Sequence, residues 1–339
     1  MGPAAPRRMD VERQGVAREH TQVHETFTAD IGGTHARFMH GPAVGQGRPA
    51  GSVELASGDY AGIDALISAG LGRLGVEARG SDAVLSLAGP VHQGHMRFTN
   101  LDWDIDARAL KERFGFRNVA LLNDLEAAAW ALAEDPPPPT LVLRDTRQAS
   151  GARHAVISVS TGLGAAYWSR ARGQLEVQAA EAGHAGFAAS SDWQVELLEA
   201  LQNRYGERVS WERVLSGAGL AFLEAHLRGS EPGSAADVVL RARSGENTAI
   251  MAVRRFSHLM GVFAGDLALW APVTGGIWLM GGVLAGLGEM LDRTRFLEGF
   301  DAKGRLSAQV RGIAVRATSE DYLGIRGAWY ASRTLFKPA

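Results

Sequence analysis

The feature of this sequence that most constrains its fold is a set of three glycine-rich turns, each next to apolar stretches. They lie in TADIGGTHARF at residues 28–38, ISVSTGLGAAYW at residues 157–168 and GGIWLMGGVLAG at residues 275–286. Glycine adopts backbone angles that other residues avoid, and it leaves no side chain between a ligand and the backbone N–H groups. One such turn is an ordinary hairpin connection, whereas three turns far apart in the chain favour a phosphate and nucleoside site shared among them.

Two of these turns share a layout. TFTADIGGTHARFMH at residues 26–40 and HAVISVSTGLGAAYWSR at residues 154–170 both run from an apolar strand through a Thr/Gly turn to a second apolar strand. Two similar halves that face each other create a cleft between them. None of the turns contains G-x-x-x-x-G-K-[ST] or the dinucleotide fingerprint with its following helix, so we exclude the P-loop and Rossmann interpretations.

The pattern along the chain indicates α/β layers. Apolar strands alternate with helical segments such as LEAAAWALAED at residues 125–135 and DIDARALKERFG at residues 104–115, which is predicted to be a helix opened by its acids. This alternation favours layers with some parallel pairing of strands. At 339 residues the chain is long enough for one large domain or two of medium size. A run of four prolines at residues 136–139 ends the helical segment and is the best candidate for a domain boundary.

Composition excludes several classes of protein. The net charge of −2 gives no reason to expect a nucleic-acid partner. The absence of cysteine excludes disulfides and zinc–thiolate sites and fits a reducing cytoplasm. Residues 1–24 are polar and are expected to form a disordered leader, because they lack the apolar run of a signal peptide. Residues 267–288 carry no charge, but Pro272 and two Gly-Gly pairs divide them into a helix end, a strand and a turn, so no membrane span is expected.

Asn123 and Asp124 stand in VALLNDLEAAAW, where a strand ends and a helix begins. One interpretation is a helix N-cap, which both residue types favour. The other is catalytic, because ligand crevices of α/β proteins open at the carboxyl ends of strands. There a carboxylate can accept a proton from a hydroxyl group while the neighbouring amide holds the substrate. The residues alone leave both interpretations open.

Two further motifs carry candidate ligand-binding groups. Glu181 and His184 have the Glu-x-x-His spacing of helical metal sites, but Gly183 and Gly186 argue against a helix and no second copy exists. A loop with one acceptor and one imidazole suits a polyhydroxyl ligand instead. In SWERVLSGAGL, Glu212 falls in the first turn of a helix, where a favourable interaction with the helix dipole is its ordinary explanation.

Taken in order, these motifs resemble those of bacterial glucokinases, in the branch of the hexokinase/actin-like ATPase superfamily that lacks zinc. The resemblance runs from about Phe27 to Gly327 and rests on DIGGTHAR, LAGPV with FTNLDW, LLNDLEAAA, STGLG, EAGH, ERVLSGAGL and GGV. A sister class of sugar kinases has a cysteine-bound zinc, and this chain has no cysteine. Four positions depart from the pattern, and they leave the sugar preference less certain: His35, Ser160, Ala182 and Gly186.

The resemblance implies an α/β, two-domain actin-like ATPase (ribonuclease H-like) fold with a small and a large lobe around a cleft. The small domain is expected at 25–135, completed by a C-terminal helix at about 322–339, and the large domain at 136–321. The implied function is ATP-dependent phosphorylation of D-glucose at O6 with Mg²⁺, in a cytoplasmic homodimer without nucleic-acid or membrane partners. The alternatives are a kinase for mannose, fructose or an amino sugar, a non-catalytic sugar sensor and, least favoured, an actin-like filament protein.

The resemblance also implies roles for individual residues. Asp124 resembles the base that accepts the proton of the sugar 6-hydroxyl. The sugar-binding residues would be Asn123, Asp124, Glu181, His184 and Glu212. The residues facing ATP would be Asp30, Gly32, Gly33 and Thr34 in the first phosphate loop, Thr161, Gly162 and Gly164 in the second, and Gly281 and Gly282 in the adenosine pocket. Asp30 would lie near Mg²⁺ and act on it indirectly.

Overall fold

The computed structural model describes residues 25–42, 47, 49, 51–98, 101–146 and 152–336. Within these residues the strands are β1 (Glu25–Ile31), β2 (His35–Pro42), β3 (Ser52–Ala56), β4 (Asp82–Leu87), β5 (His95–Arg97), β6 (Asp104–Asp106), β7 (Asn118–Asn123), β8 (Leu141–Arg144), β9 (Arg153–Val159), β10 (Leu163–Ala171), β11 (Gln174–Ala180), β12 (Val273–Met280) and β13 (Val315–Ala317). The helices are α1 (Ile63–Leu74), α2 (Ala107–Phe114), α3 (Asp124–Glu134), α4 (Asp192–Tyr205), α5 (Trp211–Val214), α6 (Gly217–Arg228), α7 (Ala235–Arg243), α8 (Asn247–Trp270), α9 (Gly282–Leu287), α10 (Arg293–Asp301), α11 (Ser307–Arg311) and α12 (Leu323–Leu335).

The first sheet has five strands in the order β3-β2-β1-β4-β7. Strands β1, β2 and β3 pair antiparallel, whereas β1, β4 and β7 run parallel. Strand β4 is buried along its whole length, as expected for an apolar strand inside a parallel layer. The parallel strands therefore end at one common edge, where β1 reaches Ile31 and β7 reaches Asn123.

The second sheet has six strands in the order β11-β10-β9-β12-β13-β8. Strands β9, β10 and β11 pair antiparallel, and β9, β12 and β13 run parallel. The long helix α8 is apolar and buried along one face and, with α10 and the inner face of this sheet, forms the largest hydrophobic core. The first sheet has its own core, built on the other side from α1, α2 and the strands between them.

Helices α3 and α12 pack between the two sheets. Their apolar side chains form a further core with Val84 of β4, Val156 of β9 and Trp278 of β12. The contact between the two helices is close, because a side chain at Gly327 of α12 would overlap the backbone of Ala127 in α3. Helix α12 also contacts β1 and β4, so the end of the chain lies against its first strands.

Several predictions from the sequence are confirmed. Apolar strands flank the turns after β1 and β9, and residues 267–288 form a helix end, a strand and a turn. One prediction is wrong in detail: DID at 104–106, expected to open a helix, forms β6, and Asp106 then caps α2 by accepting a hydrogen bond from the Ala109 N–H. In the described part of the chain, no helix is long and apolar enough to cross a membrane. The leader at 1–24 and residues 337–339 lie outside the described residues, and the division into two domains remains a prediction.

Candidate active site

The turn between β1 and β2 is short, and a neighbouring serine holds its backbone in place. The Gly32 N–H donates to the carbonyl of His35 at 2.9 Å. Ser57, fully buried after β3, donates its hydroxyl to the Gly32 carbonyl at 2.7 Å and its N–H to the Thr34 carbonyl at 2.9 Å. These bonds fix the turn while Gly33 and Thr34 stay at the surface of the cleft.

Asp30 lies in β1 just before this turn. Its Oδ1 accepts a hydrogen bond from the Ser86 hydroxyl at 2.7 Å, and its carboxyl group lies so close to Gly324 of α12 that a side chain there would overlap it. Burial raises the pKa of Asp30 above its ordinary value, although the Ser86 bond and the charge of Arg37 act in the opposite direction. The carboxylate is thus held in a poorly solvated position at the edge of the first sheet.

Asn123 and Asp124 occupy the junction of β7 and α3. The Oδ1 of Asn123 accepts hydrogen bonds from the N–H groups of Leu125 at 3.0 Å and Glu126 at 3.3 Å, so Asn123 is the N-cap of α3. Its Nδ2 donates to the Gly89 carbonyl at 3.0 Å. The side chain that the sequence offered as either a cap or a ligand is therefore a cap in this structure.

Asp124 is the first residue of α3 and is mostly buried. Burial, together with the nearby charges of Asp30 and Glu181, raises its pKa to about 6, although a hydrogen bond from the Leu125 N–H acts in the opposite direction. A carboxyl group of this pKa is ionised at neutral pH and can still accept a proton, as a general base must.

Glu181 and His184 form an exposed pair, and Glu181 lies near enough to Asp124 for its charge to raise the pKa of that residue. The residues form a short 3₁₀ turn after β11, and the Glu181 Oε2 lies 3.8 Å from the His184 Nε2. Arg208 donates to the His184 carbonyl at 2.7 Å and so anchors this turn. The polar tips of both side chains remain open to solvent.

Glu212 of α5 reaches the turn that joins β9 and β10. Its Oε2 accepts a hydrogen bond from the Leu163 N–H at 3.1 Å and lies next to Gly162, where a side chain would overlap it. Gly164 has a different local role, because a side chain there would meet Leu125 of α3 at 2.5 Å. Gly164 therefore lets the helix that carries Asp124 pack closely against β10.

Two cavities connect these groups. The first, of about 380 Å³, lies between the ends of the two sheets; we call it the cleft. Asp30, Gly32, Gly33, Thr34, Asp124, Gly281 and Gly282 all line it. The second, of about 810 Å³, is mainly apolar, and we call it the nucleoside cavity after the ligand proposed for it below; Thr161, Gly217, Val239, Leu240, Gly282 and Val283 are among its lining residues. The two cavities meet at Gly282, so a molecule with a charged end and an apolar end can extend through both.

The structure brings most of the predicted site residues into one region. The first glycine turn, the third glycine turn and Asp124 share the cleft, while Thr161 lies in the adjoining nucleoside cavity. Glu181 is near enough to Asp124 to raise its pKa, and Glu212 contacts the second glycine turn. Asn123 lies beside Asp124 with both ends of its amide engaged by the backbone. The proposed roles of these residues remain predictions.

Sequence reasoning missed several residues of this region. Ser57, Ser86 and Arg37 hold or line the first turn, and residues 318–321 form one wall of the cleft. Arg37 donates to the Asp321 carbonyl at 2.9 Å and to Glu54 at 2.8 Å, so it links β2 and β3 to that wall. Arg37 belongs to the motif DIGGTHAR, but no role was predicted for it. Ser57, Ser86 and residues 318–321 lie outside the motifs and reach the site through strand pairing or chain return.

Comparison with solved structures defines the class of protein. The crystal structure of a glucokinase from an Antarctic psychrotroph matches with a TM-score of 0.80 and 28% identity, covering 92% of this chain and 100% of that one. A ROK family glucokinase from Streptomyces griseus, solved with glucose and AMPPNP, has the same fold, with a TM-score of 0.60 and 22% identity over 91% of this chain and 99% of that one. The fold is therefore that of sugar kinases with the actin-like ATPase fold.

Comparison of sequences identifies the family within that class. The profile described as Glucokinase matches residues 27–335. The glucokinase of Caulobacter vibrioides is 35% identical over 309 residues, which cover 89% of this chain and 93% of that protein. The chain belongs to the glucokinase family and is a sugar kinase.

Proposed function

We propose that this protein transfers the γ-phosphoryl group of ATP to O6 of D-glucose, with Asp124 as the general base. The observation that carries the proposal is the position of Asp124, which shares the cleft with the first glycine turn and lies near Glu181. Its pKa of about 6 suits a base at neutral pH. The relatives named glucokinase support glucose as the acceptor. Asp124 would remove the proton of the 6-hydroxyl as that oxygen attacks phosphorus.

The sugar would bind on the side of Asp124 that carries Glu181, His184 and Glu212. An exposed carboxylate accepts hydrogen bonds from hydroxyl groups, and an exposed imidazole can accept or donate them, so the pair suits a polyhydroxyl ring. Glu212 holds one oxygen on the Leu163 N–H, which orients its carboxylate. Asn123 would bind a sugar hydroxyl by exchanging one of the backbone partners of its amide, which in this structure caps α3 and donates to the Gly89 carbonyl.

ATP would extend from the cleft into the nucleoside cavity. The turns at Gly32–Gly33 and Thr161–Gly162 would bind its phosphates through backbone N–H groups, while Gly281 and Gly282 would border the adenosine. Gly281 has a φ of 106°, and a β-carbon there would overlap the Val159 carbonyl, so a side chain is excluded on two grounds. AMPPNP in the Streptomyces griseus structure supports ATP as the donor.

The acidic groups of the cleft fit a bound Mg²⁺. Repulsion from the charge of Asp30 raises the pKa of Asp124. Among the side chains described, only that of Ser86 donates a hydrogen bond to Asp30. A divalent cation with the donor phosphates would offset that repulsion, and carboxylate and phosphate oxygens are the ligands Mg²⁺ prefers. Mg²⁺ would neutralise charge on the transferring phosphoryl group, and Asp30 would orient its bound water.

The test is an ADP-release assay on the purified chain with glucose, mannose, fructose and glucosamine, each with and without MgCl₂. We expect glucose to give the highest kcat/KM and activity to require Mg²⁺. If another hexose gave the highest kcat/KM, that hexose would replace glucose as the proposed substrate. If no sugar caused ADP release, the kinase assignment would be contradicted. Gel filtration and cell fractionation test the proposed homodimer and cytoplasmic location.

A further inference from the structure

A cavity outside the active site combines aromatic and cationic side chains. It has a volume of about 470 Å³ and lies below the proline run at 136–139. We call it the rear cavity, and the lining residues that matter here are Ala133, His154, Trp168, Arg170, Trp278 and Arg316. None of these residues takes part in the site described above.

The rear cavity and the cleft lie at opposite ends of α3. Leu125 and Ala128, near the start of the helix, line the cleft, whereas Ala133, near its end, lines the rear cavity. In β9, Ser158 lines the cleft and His154 lines the rear cavity, and alternate residues of a strand share one face. Since nine helical residues span about 14 Å, one short, rigid helix contacts both cavities.

The floor of the rear cavity is flat and aromatic. His154 stacks on Trp168 with ring centroids 5.2 Å apart and an interplanar angle of 12°. Trp278 of β12 also lines the cavity. Burial and the positive charge of Arg316 lower the pKa of His154, so its ring is neutral near pH 7 and stacks as an uncharged aromatic surface. Such a surface favours a planar aromatic ligand.

Arg316 supplies a cation that can change partners. Its Nη2 lies 2.6 Å from the Oδ1 of Asp145, whose side chain is 73% exposed. An ion pair with such an exposed carboxylate is screened by water and contributes little to stability. The planar guanidinium can therefore bind the carboxylate, phosphate or sulfonate group of a ligand at small cost.

Arg170 connects the rear cavity to α3. Its Nη2 donates to the Ala133 carbonyl at 3.2 Å and to the Glu134 carboxylate at 2.9 Å, so it holds the last turn of the helix. An anion in the cavity would compete for this guanidinium and loosen that hold. Because Asp124 begins the same helix, the base would move with it.

We propose that the rear cavity binds a planar aromatic anion and that binding changes catalysis through α3. The binding half depends only on the cavity. The coupling half rests on the proposed function, because it is measured as a change in glucose phosphorylation.

The binding test uses pyrene-1-sulfonate, a fluorescent dye whose fused rings make it a planar aromatic anion, with the full chain and saturating AMPPNP to fill the nucleoside cavity. We expect one dye molecule to bind, Arg316→Met to weaken binding at least about tenfold, and Ala133→Phe to abolish it by filling the cavity. The control Arg243→Met alters only the nucleoside cavity and should leave the dissociation constant unchanged. Dye that AMPPNP displaces completely, or that binds Arg316→Met and Ala133→Phe like the unaltered protein, overturns the proposal.

Fluorine NMR locates the dye independently of these substitutions. With 5-fluorotryptophan at all eight tryptophan positions, dye should shift the signals of Trp168 and Trp278, assigned by conservative Trp→Phe variants. Shifts confined to other tryptophans contradict the proposed location.

The coupling test measures kcat and KM for glucose at increasing dye concentration. We expect a change of about twofold or more in the unaltered protein and none in Ala133→Phe. Dye that binds the rear cavity and leaves both constants unchanged overturns the coupling half. A chain that binds dye there but phosphorylates no sugar contradicts the proposed function and leaves the binding half supported.

Discussion

The two sheets share one arrangement of strands but present different chemistry at their glycine turns. In β3-β2-β1-β4-β7 and in β11-β10-β9-β12-β13, a three-stranded antiparallel meander is followed by two parallel strands. In both sheets the glycine turn joins the first two strands of the meander. The repeated layout noticed in the sequence thus corresponds to a repeated sheet topology.

The strands that precede the two glycine turns, β1 in the first half of the chain and β9 in the second, differ at their sixth residue. It is Asp30 in β1 and Ser158 in β9, and each pairs with the parallel strand beside it, Asp30 with Ser86 and Ser158 with Met280. Both residues line the cleft. The first half therefore supplies Asp30 and Asp124 to the cleft, whereas the second supplies the hydroxyl group of Ser158 and borders the apolar nucleoside cavity. A shared topology builds the cleft, while single residues at equivalent positions decide its chemistry.

The largest effect is expected from removing the acid at the end of β7. Asp124→Ala should lower kcat about 10²–10⁴-fold with sugar binding still measurable, because a general base contributes that much. The control is Glu126→Gln, another partly buried acid of α3, whose pKa burial raises to about 7, but which does not line the cleft. Steady-state kinetics and glucose titrations measure both variants. A near-normal kcat for Asp124→Ala would show that the acid is not the base.

The next effect tests the difference between the two halves directly. Asp30→Asn should lower kcat/KM for ATP about 100-fold, since a lost electrostatic contact to the transferring group costs that order. Ser158→Ala, at the equivalent position, should change it less than about threefold. Asp30→Asn should also need a higher MgCl₂ concentration than the unaltered protein to reach half of its maximal activity. Equal losses in the two variants would mean that the halves contribute alike.

The sugar side of the site should respond separately from the phosphate side. Glu181→Ala should raise the KM for glucose about 10–100-fold and leave the KM for ATP nearly unchanged, because a hydrogen bond to a charged group contributes about 1.5–3 kcal/mol. Glu176→Ala, an exposed carboxylate on β11, is the matched control. Parallel rises in both KM values would argue against sugar binding by Glu181.

The pH dependence should report the raised pKa of the base. Because the pKa of Asp124 is raised to about 6, the ionised form is lost as pH falls through that value, and kcat/KM for glucose should fall about tenfold per pH unit below it. Asp30 and Glu181 contribute to this pKa, so the apparent value belongs to the group of acids. Asp30→Asn should therefore move the acid limb to lower pH. If the acid limb of the pH profile were unchanged in Asp30→Asn, the charge of Asp30 would not contribute to the pKa of Asp124.

The smallest effect concerns the support of the first turn. Ser57→Ala removes the hydrogen bond to the Gly32 carbonyl and should raise the KM for ATP about 3–10-fold with little change for glucose. Ser57→Thr should restore most of the loss, and Ser52→Ala, an exposed serine of β3, is the control. A loss shared by ATP and glucose would point to a general loss of stability.

The sequence predicted the strands and turns that carry the site better than it predicted their supports. Apolar runs flank Gly32–Gly33 and Gly162, so strand, turn and strand were evident at both places, and the helix after Asn123 followed from its alanines. Strand pairing is a long-range property that local patterns do not encode. Ser57 and Ser86 reach the site only through such pairing, and DID at 104–106 was assigned to a helix because its acids resemble a helix start.

The packing of α12 against β1 and β4 has a consequence for synthesis on the ribosome. Strands β1 and β4 leave the exit tunnel long before α12, yet α12 packs on both strands and places Gly324 against the Asp30 carboxyl group. Because contacts between residues so distant in sequence form slowly, the nascent chain must keep that part of its apolar surface exposed at least until α12 has been synthesised. Chaperones that bind exposed strands would therefore meet this protein in that interval.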